Sequence, residues 1–289
     1  IFTSMSESII DSNKVGDFKS ISEKEIFKME YWPLERAKLD NKKRNILEGN
    51  IALITGGAKR IGQELALSLA EKGWNIGLHY RNSIVEAEST KDRIEELGSL
   101  CKLFYADLEN SKDAIEMIKK VLFDFPELDL LVHNASVFEK SPFATVDEKV
   151  FDRQFNVNFR SPFFMTQYYI NHCSRGHIIN ILDTKIQSNQ AINFTAYNLS
   201  KKAMMHLTRM TALDLAPGFR VNGIAPGPVL KASHATEDEF QKQIQGTPLK
   251  LEIPGHTIAS ALNYLIENPN LTGQILYCDN GAHLNSSEK

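Results

Sequence analysis

Seven short apolar runs recur between residues 49 and 284, and stretches of helical periodicity separate them. The runs are IALIT, NIGLHY, CKLFYAD, LDLLVHNA, HIINILD, RVNGIAP and QILYCD. They do not alternate apolar with polar, so each is a strand covered on both faces. Between them, spacings such as Ile61, Leu65 and Leu69, with the small Ala66, put one apolar stripe on a helix. Strands buried on both sides, each followed by a helix, imply a parallel sheet with helices on both faces. The expected fold class is α/β: a doubly wound parallel sheet of about seven strands. Helices are expected over 61–72, 84–97, 111–125, 147–173, 197–215 and 256–267. Residues 230–248 read as an irregular loop over the site.

This pattern gives one domain over residues 49–289 and an N-terminal extension over 1–48. Residues 1–22 are rich in Ser, Lys and acids, and read as a mobile leader. In EKEIFKMEYWPLERAKL, Ile26, Phe27, Tyr31, Leu34 and Leu39 recur at roughly helical spacing, so residues 23–39 read as a short docked amphipathic segment. NKKRN after it reads as a linker.

Composition excludes several classes. At 289 residues, 42% hydrophobic and 24% charged, the chain can bury a core without staples. Lys plus Arg is 33 against 36 Asp plus Glu, a net charge of −3. That balance argues against a nucleic-acid binder and a polybasic membrane-surface protein. No apolar run approaches the roughly 18 residues of a membrane span. The three cysteines, Cys101, Cys173 and Cys278, are scattered and form no CxxC, so neither a disulfide framework nor a metal centre is expected. A reducing compartment follows, read as cytoplasmic, with import into an organelle left open.

The first strand runs into TGGAKRIG, residues 55–62, which opens a helix. Glycines there permit a tight turn and close backbone approach to a pyrophosphate, and the helix N-terminus supplies free N–H groups. Gly56, Lys59, Arg60 and Ile61 are the candidate contacts; the bland alternative is an ordinary strand-to-helix turn. The second strand ends LHYRNS, without the acid that would hold a ribose 2′-hydroxyl. Tyr80, Arg81, Asn82 and Ser83 instead offer donors to a 2′-phosphate, which a carboxylate would repel. NADPH/NADP is therefore the expected cofactor, in a Rossmann-type domain; the alternative for Arg81 is a solvated charge.

Tyr197 and Lys201 form YxxxK, one face of a helix after the fifth strand. A nearby ammonium favours the phenolate, which would let Tyr197 exchange a proton near neutral pH. Asp183 ends the fifth strand, Asn134 ends the fourth, and Asn158 lies in the helix between. All fall where a doubly wound sheet gathers its ligands. The plain alternatives are a turn cap for Asp183 and a backbone-bonded helix residue for Asn158.

Together these motifs resemble the short-chain dehydrogenase/reductase family over residues 49–284: TGGAKRIG, Asp107-Leu108, Asn134-Ala135, Asn158, YxxxK and Pro226-Gly227, in order. Three departures from its common pattern resemble the pteridine reductases and dihydromonapterin/dihydrofolate reductases. They are Arg60 in place of the middle glycine, HNAS with Ser136 and then Phe138, and Asp183 at the usual serine position. His79, Tyr80 and Ser83 are also similar to that subgroup. The resemblance implies an enzyme, an NADP-dependent oxidoreductase that reduces a pterin or folate. Asp183, Tyr197, Lys201 and Asn158 would be its catalytic set. Arg60, Ser136, Phe138, Asp183, Tyr197 and Leu230 would meet substrate, with Phe138 stacking on the pterin. Asp107, Leu108, Asn134, Ala135, Ser136, Tyr197, Lys201, Pro226 and Gly227 would complete the cofactor site. A homo-oligomer, tetramer or dimer, is implied through 147–173 and 197–215. The alternative enzyme is another short-chain oxidoreductase, for a sugar, steroid or acyl carbonyl. EYWPLERAKL is similar to the segment preceding the reductase domain in bifunctional aldolase/dehydrogenases.

Overall fold

The chain divides into two units, Ile1–Glu48 and Gly49–Lys289. The computed structural model describes residues 49–188, 193–231 and 236–286. The expected leader, docked segment and linker lie outside the described residues.

The seven expected strands all form. They are β1 (Ile51–Ile54), β2 (Asn75–Tyr80), β3 (Cys101–Tyr105), β4 (Leu130–His133), β5 (Gly176–Ile181), β6 (Phe219–Pro226) and β7 (Ile275–Cys278). One parallel sheet results, in the order β3-β2-β1-β4-β5-β6-β7. The order reverses between β1 and β4: the chain winds outward to β3, then crosses back to the other side of β1. Beyond the C-terminal ends of these two strands the flanking loops part and leave a crevice. β1 and β4 are buried throughout, which accounts for their unbroken apolar character.

The helices are α1 (Arg60–Ala70), α2 (Ile84–Glu96), α3 (Ser111–Asp124), α4 (Glu148–Phe155), α5 (Ser161–His172), α6 (Thr195–Asp214), α7 (Glu237–Gln245) and α8 (His256–Glu267). α1 packs between α2 and α8 on one face, where Leu65, Leu69, Ile258 and Leu262 meet Ile54 and Ile76. On the other face α3 packs on α5, and α6 covers β6.

Two expectations need correction. Residues 147–173 are not one uninterrupted α-helix: a five-residue π turn, Asn156–Arg160, joins α4 to α5. The stretch 230–248 is not all loop, because α7 lies within it. Its N-terminus is fixed by a capping box, in which the Thr236 hydroxyl accepts from the Glu239 N–H and the Glu239 carboxylate accepts from the Thr236 N–H. α7 buries little beyond Ile244, so it carries almost no apolar stripe to betray it.

Candidate active site

The turn after β1 is built around glycine at two positions. Gly56 has φ +63°, and a Cβ on Gly62 would come within 2.1 Å of the Gly56 carbonyl oxygen. Here helix α1 and the turn are pressed together more closely than any side chain allows. Asn134, at the end of β4, secures the turn: its Nδ2 donates to the carbonyls of Thr55 (2.9 Å) and Gly56 (3.1 Å). The Thr55 hydroxyl accepts from the Asn134 and Ala135 N–H groups. His79 holds the other side, its Nδ1 accepting from the Gly56 N–H at 2.9 Å while Nε2 faces the Ala106 carbonyl at 3.2 Å. That pattern needs the neutral ring protonated on Nε2. Burial enforces neutrality, lowering the His79 pKa to about 4.

Arg60 stands where the family's middle glycine is usual, and its backbone is left-handed, φ +58°. A non-glycine residue there costs about 1 kcal/mol. Its guanidinium reaches across the crevice and donates to the Lys231 carbonyl at 3.0 Å. Leu230, beside that contact, is exposed.

The crevice is a cavity of about 480 Å³. Its lining contains Gly56, Lys59, Arg60 and Ile61 from the turn, and Tyr80, Arg81, Asn82 and Ser83 from the end of β2. Asp107, Leu108, Asn134, Ala135 and Ser136 complete the expected part. Val137 and Val157 also line it; sequence reasoning missed them, because an isolated valine carries no chemical signature. Of the expected cofactor contacts, Tyr197, Lys201, Pro226 and Gly227 are not part of this lining. Gly227 follows β6 and abuts Asp279, whose Cα would lie 2.7 Å from an added Cβ. Arg81 points to Asp107 (3.2 Å) and Glu109 (3.8 Å), and Lys59 to Glu86 (3.8 Å). These exposed pairs are weak and leave both cations available to a bound phosphate.

The cavity fits a dinucleotide. Its glycines exclude side chains from the turn, and Arg81, Asn82, Ser83 and Lys59 gather donors where a 2′-phosphate would lie.

At the end of β5, Asp183 uses its Oδ1 to accept from the Lys185 N–H (2.8 Å), capping a 3₁₀ turn. Its Oδ2 accepts from the Tyr197 hydroxyl at 2.8 Å. Lys201, one turn along α6, donates its Nζ to the Ile181 carbonyl at 2.8 Å and lies 5.8 Å from the Tyr197 ring centroid. This environment opposes the effect expected of the Lys201 ammonium. Burial first, and then the Asp183 carboxylate, hold the phenol well above its ordinary pKa, against a smaller opposing effect of Ser136. Burial also lowers Lys201 to about 8, opposed by Asp183. At neutral pH Tyr197 is therefore a neutral phenol, hydrogen-bonded to Asp183 and one helical turn from the Lys201 ammonium.

Asn158 is fully engaged. Its Oδ1 accepts from Ser136 and Val137, and its Nδ2 donates to the Val137 carbonyl and the Ser200 hydroxyl. It ties the HNAS segment to α6 and so positions Ser136 and Tyr197.

Phe138 packs edge-on to Tyr197, with centroids 4.6 Å apart, and stacks on Phe194 at 4.4 Å and 12°. Phe194 was not anticipated. Buried Ser141 pins it: the Ser141 N–H donates to the Asn193 carbonyl, and the Ser141 carbonyl accepts from the Thr195 N–H. His133 is a core residue, its Nε2 within 2.9 Å of the Thr166 hydroxyl and its pKa lowered to about 3 by burial.

A glycine turn after β1 and an acid–phenol pair after β5 thus stand at the same C-terminal edge of the sheet, with β4 between them, an arrangement suited to delivering a hydride and a proton to one substrate. The chain belongs to the short-chain dehydrogenase/reductase family: residues 56–283 match a short-chain dehydrogenase model described as Enoyl-(Acyl carrier protein) reductase. Residues 2–39 match a second model, Aldolase class II, second domain. Among relatives, the Bacillus subtilis oxidoreductase YhxC is 30% identical over 84% of this chain and 88% of its own length. NADPH-dependent aldehyde reductase 1 of Arabidopsis thaliana, a chloroplast protein, is 30% identical over 86% of this chain and 91% of its own. Among solved structures, FolM Alternative dihydrofolate reductase 1 of Brucella suis, in complex with NADP, superposes with a TM-score of 0.77. It is 32% identical and is covered to 96%, against 82% of this chain.

Proposed function

We propose that this protein is an NADPH-dependent reductase of a pterin: a dihydropterin, dihydrofolate or an oxidised pterin. The observation that carries the reading is the hydrogen bond from Tyr197 to Asp183, beside the aromatic wall of Phe138 and Phe194. The NADP complex of the Brucella suis neighbour and the NADPH dependence of the Arabidopsis relative support the cofactor.

The reduced nicotinamide, when bound, supplies a hydride. The glycine turn, Arg81 and Ser83 hold the dinucleotide, and Lys201 orients its ribose. Tyr197 gives its hydroxyl proton to the ring nitrogen beside the carbon that is reduced, so a C=N bond becomes CH–NH. Asp183 keeps the phenol protonated until that nitrogen becomes basic, and Lys201 stabilises the phenolate left behind. A carbonyl reductase of this family usually presents a serine hydroxyl at the Asp183 position; a carboxylate there opposes negative charge on a carbonyl oxygen and suits a nitrogen acceptor. Phe138 and Arg60 would hold the flat ring and its polar edge.

The test is NADPH consumption with dihydrobiopterin, dihydromonapterin and dihydrofolate against a carbonyl panel. Pterin turnover that is lost in Tyr197→Phe, with NADPH binding retained, is the expected result. Turnover of carbonyls alone would assign the protein instead with the aldehyde reductase relative. A homo-oligomer belongs to the same reading: Met210 and Leu213 on α6 are 62% and 81% exposed, and light scattering should show more than a monomer. Among the described residues no helix is long and apolar enough to cross a membrane.

A further inference from the structure

The reading above leaves one cation at the site without a role. Lys185 is the second residue of the 3₁₀ turn that Asp183 caps, so its backbone is fixed relative to the acid. Its side chain is part-buried and turns to the aromatic wall, where Nζ lies 5.2 Å from the Phe138 centroid and 5.1 Å from that of Phe194. The two rings are stacked 4.4 Å apart, so an ammionium nearly equidistant from both stands at the flank of the pair and not on its axis. Lys59, Lys72, Lys91, Lys102, Lys119 and Lys231 each meet a carboxylate. Among the described residues no carboxylate lies within ion-pair distance of the Lys185 ammonium.

Cation–π attraction alone is a weak partner for a half-desolvated ammonium, and a charge-assisted hydrogen bond is stronger. Phe138 meets both the Lys185 ammonium and, edge-on, the Tyr197 ring. A ring seated for proton transfer from Tyr197 would therefore carry its substituent past this cation.

We propose that Lys185 selects substrates bearing an anionic group, a carboxylate by preference, on the substituent of the reduced ring. The proposal rests on the pterin reading for the nature of that ring, and it favours a carboxylated pterin, such as dihydrofolate, over one with a neutral side chain. Lysine suits the task because a flexible stem carrying a point charge tolerates a substituent of variable reach.

The experiment compares kcat/KM for two substrate pairs in the full chain: dihydrofolate against dihydrobiopterin, and 4-carboxybenzaldehyde against benzaldehyde. Wild type, K185M and K185R are measured, with calorimetric binding of folate to the protein–NADP complex as a second readout. K185M should lower the anionic-to-neutral ratio about tenfold, and K185R should restore most of it. Folate binding by the wild type should weaken with added salt, and this dependence should flatten in K185M. An equal change in both members of a pair, or a wild type with no preference for the anionic member of either, overturns the proposal. If no pterin is turned over but the carboxylated aldehyde is preferred through Lys185, anion selection stands and the pterin reading falls. If pterins are turned over without charge preference, the reverse holds.

Discussion

Asp183 divides its carboxylate between two partners: Oδ1 accepts from the Lys185 N–H and Oδ2 from the Tyr197 hydroxyl, both at 2.8 Å. One oxygen holds the turn and the other holds the reactive proton. The turn cap that the sequence offered as the plain alternative is made, and it leaves the second oxygen free for the catalytic role proposed above.

Two substitutions separate these roles. Asp183→Asn keeps a capping oxygen but removes the charge, so the melting temperature should move little while turnover falls by about 10²-fold. Asp183→Ala also loses the cap and should be destabilised by about 1 kcal/mol more. Equal melting temperatures for the two variants would show that the cap contributes nothing.

Arg60 offers a trade between stability and turnover. Arg60→Gly relieves a left-handed backbone at φ +58° and should stabilise the domain by about 1 kcal/mol, a rise of about 2–4 °C in Tm. It also removes the guanidinium that bridges to Lys231, so turnover should fall. Differential scanning calorimetry beside the kinetic assay checks both halves.

Arg81 should govern cofactor choice. Its pairs with Asp107 and Glu109 are exposed and weak, so a 2′-phosphate would compete with them. Arg81→Ala should weaken NADPH binding about tenfold and NADH binding much less. Equal losses by fluorescence titration would remove the 2′-phosphate assignment.

Acid should destabilise the fold. Buried His79, His133 and His177 have pKa values lowered to about 4, 3 and 3, chiefly by burial. Unfolded histidines take up protons near pH 6.5, so between about pH 6.5 and 4 the unfolded chain binds more protons than the native one. Stability is therefore full above about pH 6.5 and drops on acidification, by on the order of 1.4 kcal/mol per pH unit for each histidine. Urea midpoints at pH 7 and pH 5 measure this; coincident midpoints would contradict it.

Most of the scaffold was legible in the sequence because a parallel sheet leaves unbroken apolar runs. Residues such as Ile54 and Val132 are buried on both faces and show it. The lining of the crevice was legible for a related reason: glycine at Gly56 and donors at Arg81 to Ser83 are residue types that a phosphate would demand. α7 was hidden because burying little beyond Ile244 leaves no periodic stripe, although T-x-x-E at Thr236 and Glu239 was the available signal. Phe194 was hidden because its pairing with Phe138 is made by tertiary contact across 56 positions, through Ser141. The balance of effects on Tyr197 was only partly legible, because spacing reveals Lys201 and Asp183 but not the depth of burial.

The π turn at Asn156–Arg160 bears on insertions and deletions. Such a turn holds one residue more than an α turn, and each helical residue advances the chain by about 100°. Losing one residue there would swing α5 by that angle, turning Met165 and Tyr169 out of the core while Asn158 lost its four hydrogen bonds. Side chains on the outer face of this helix are free to vary; the number of residues is not.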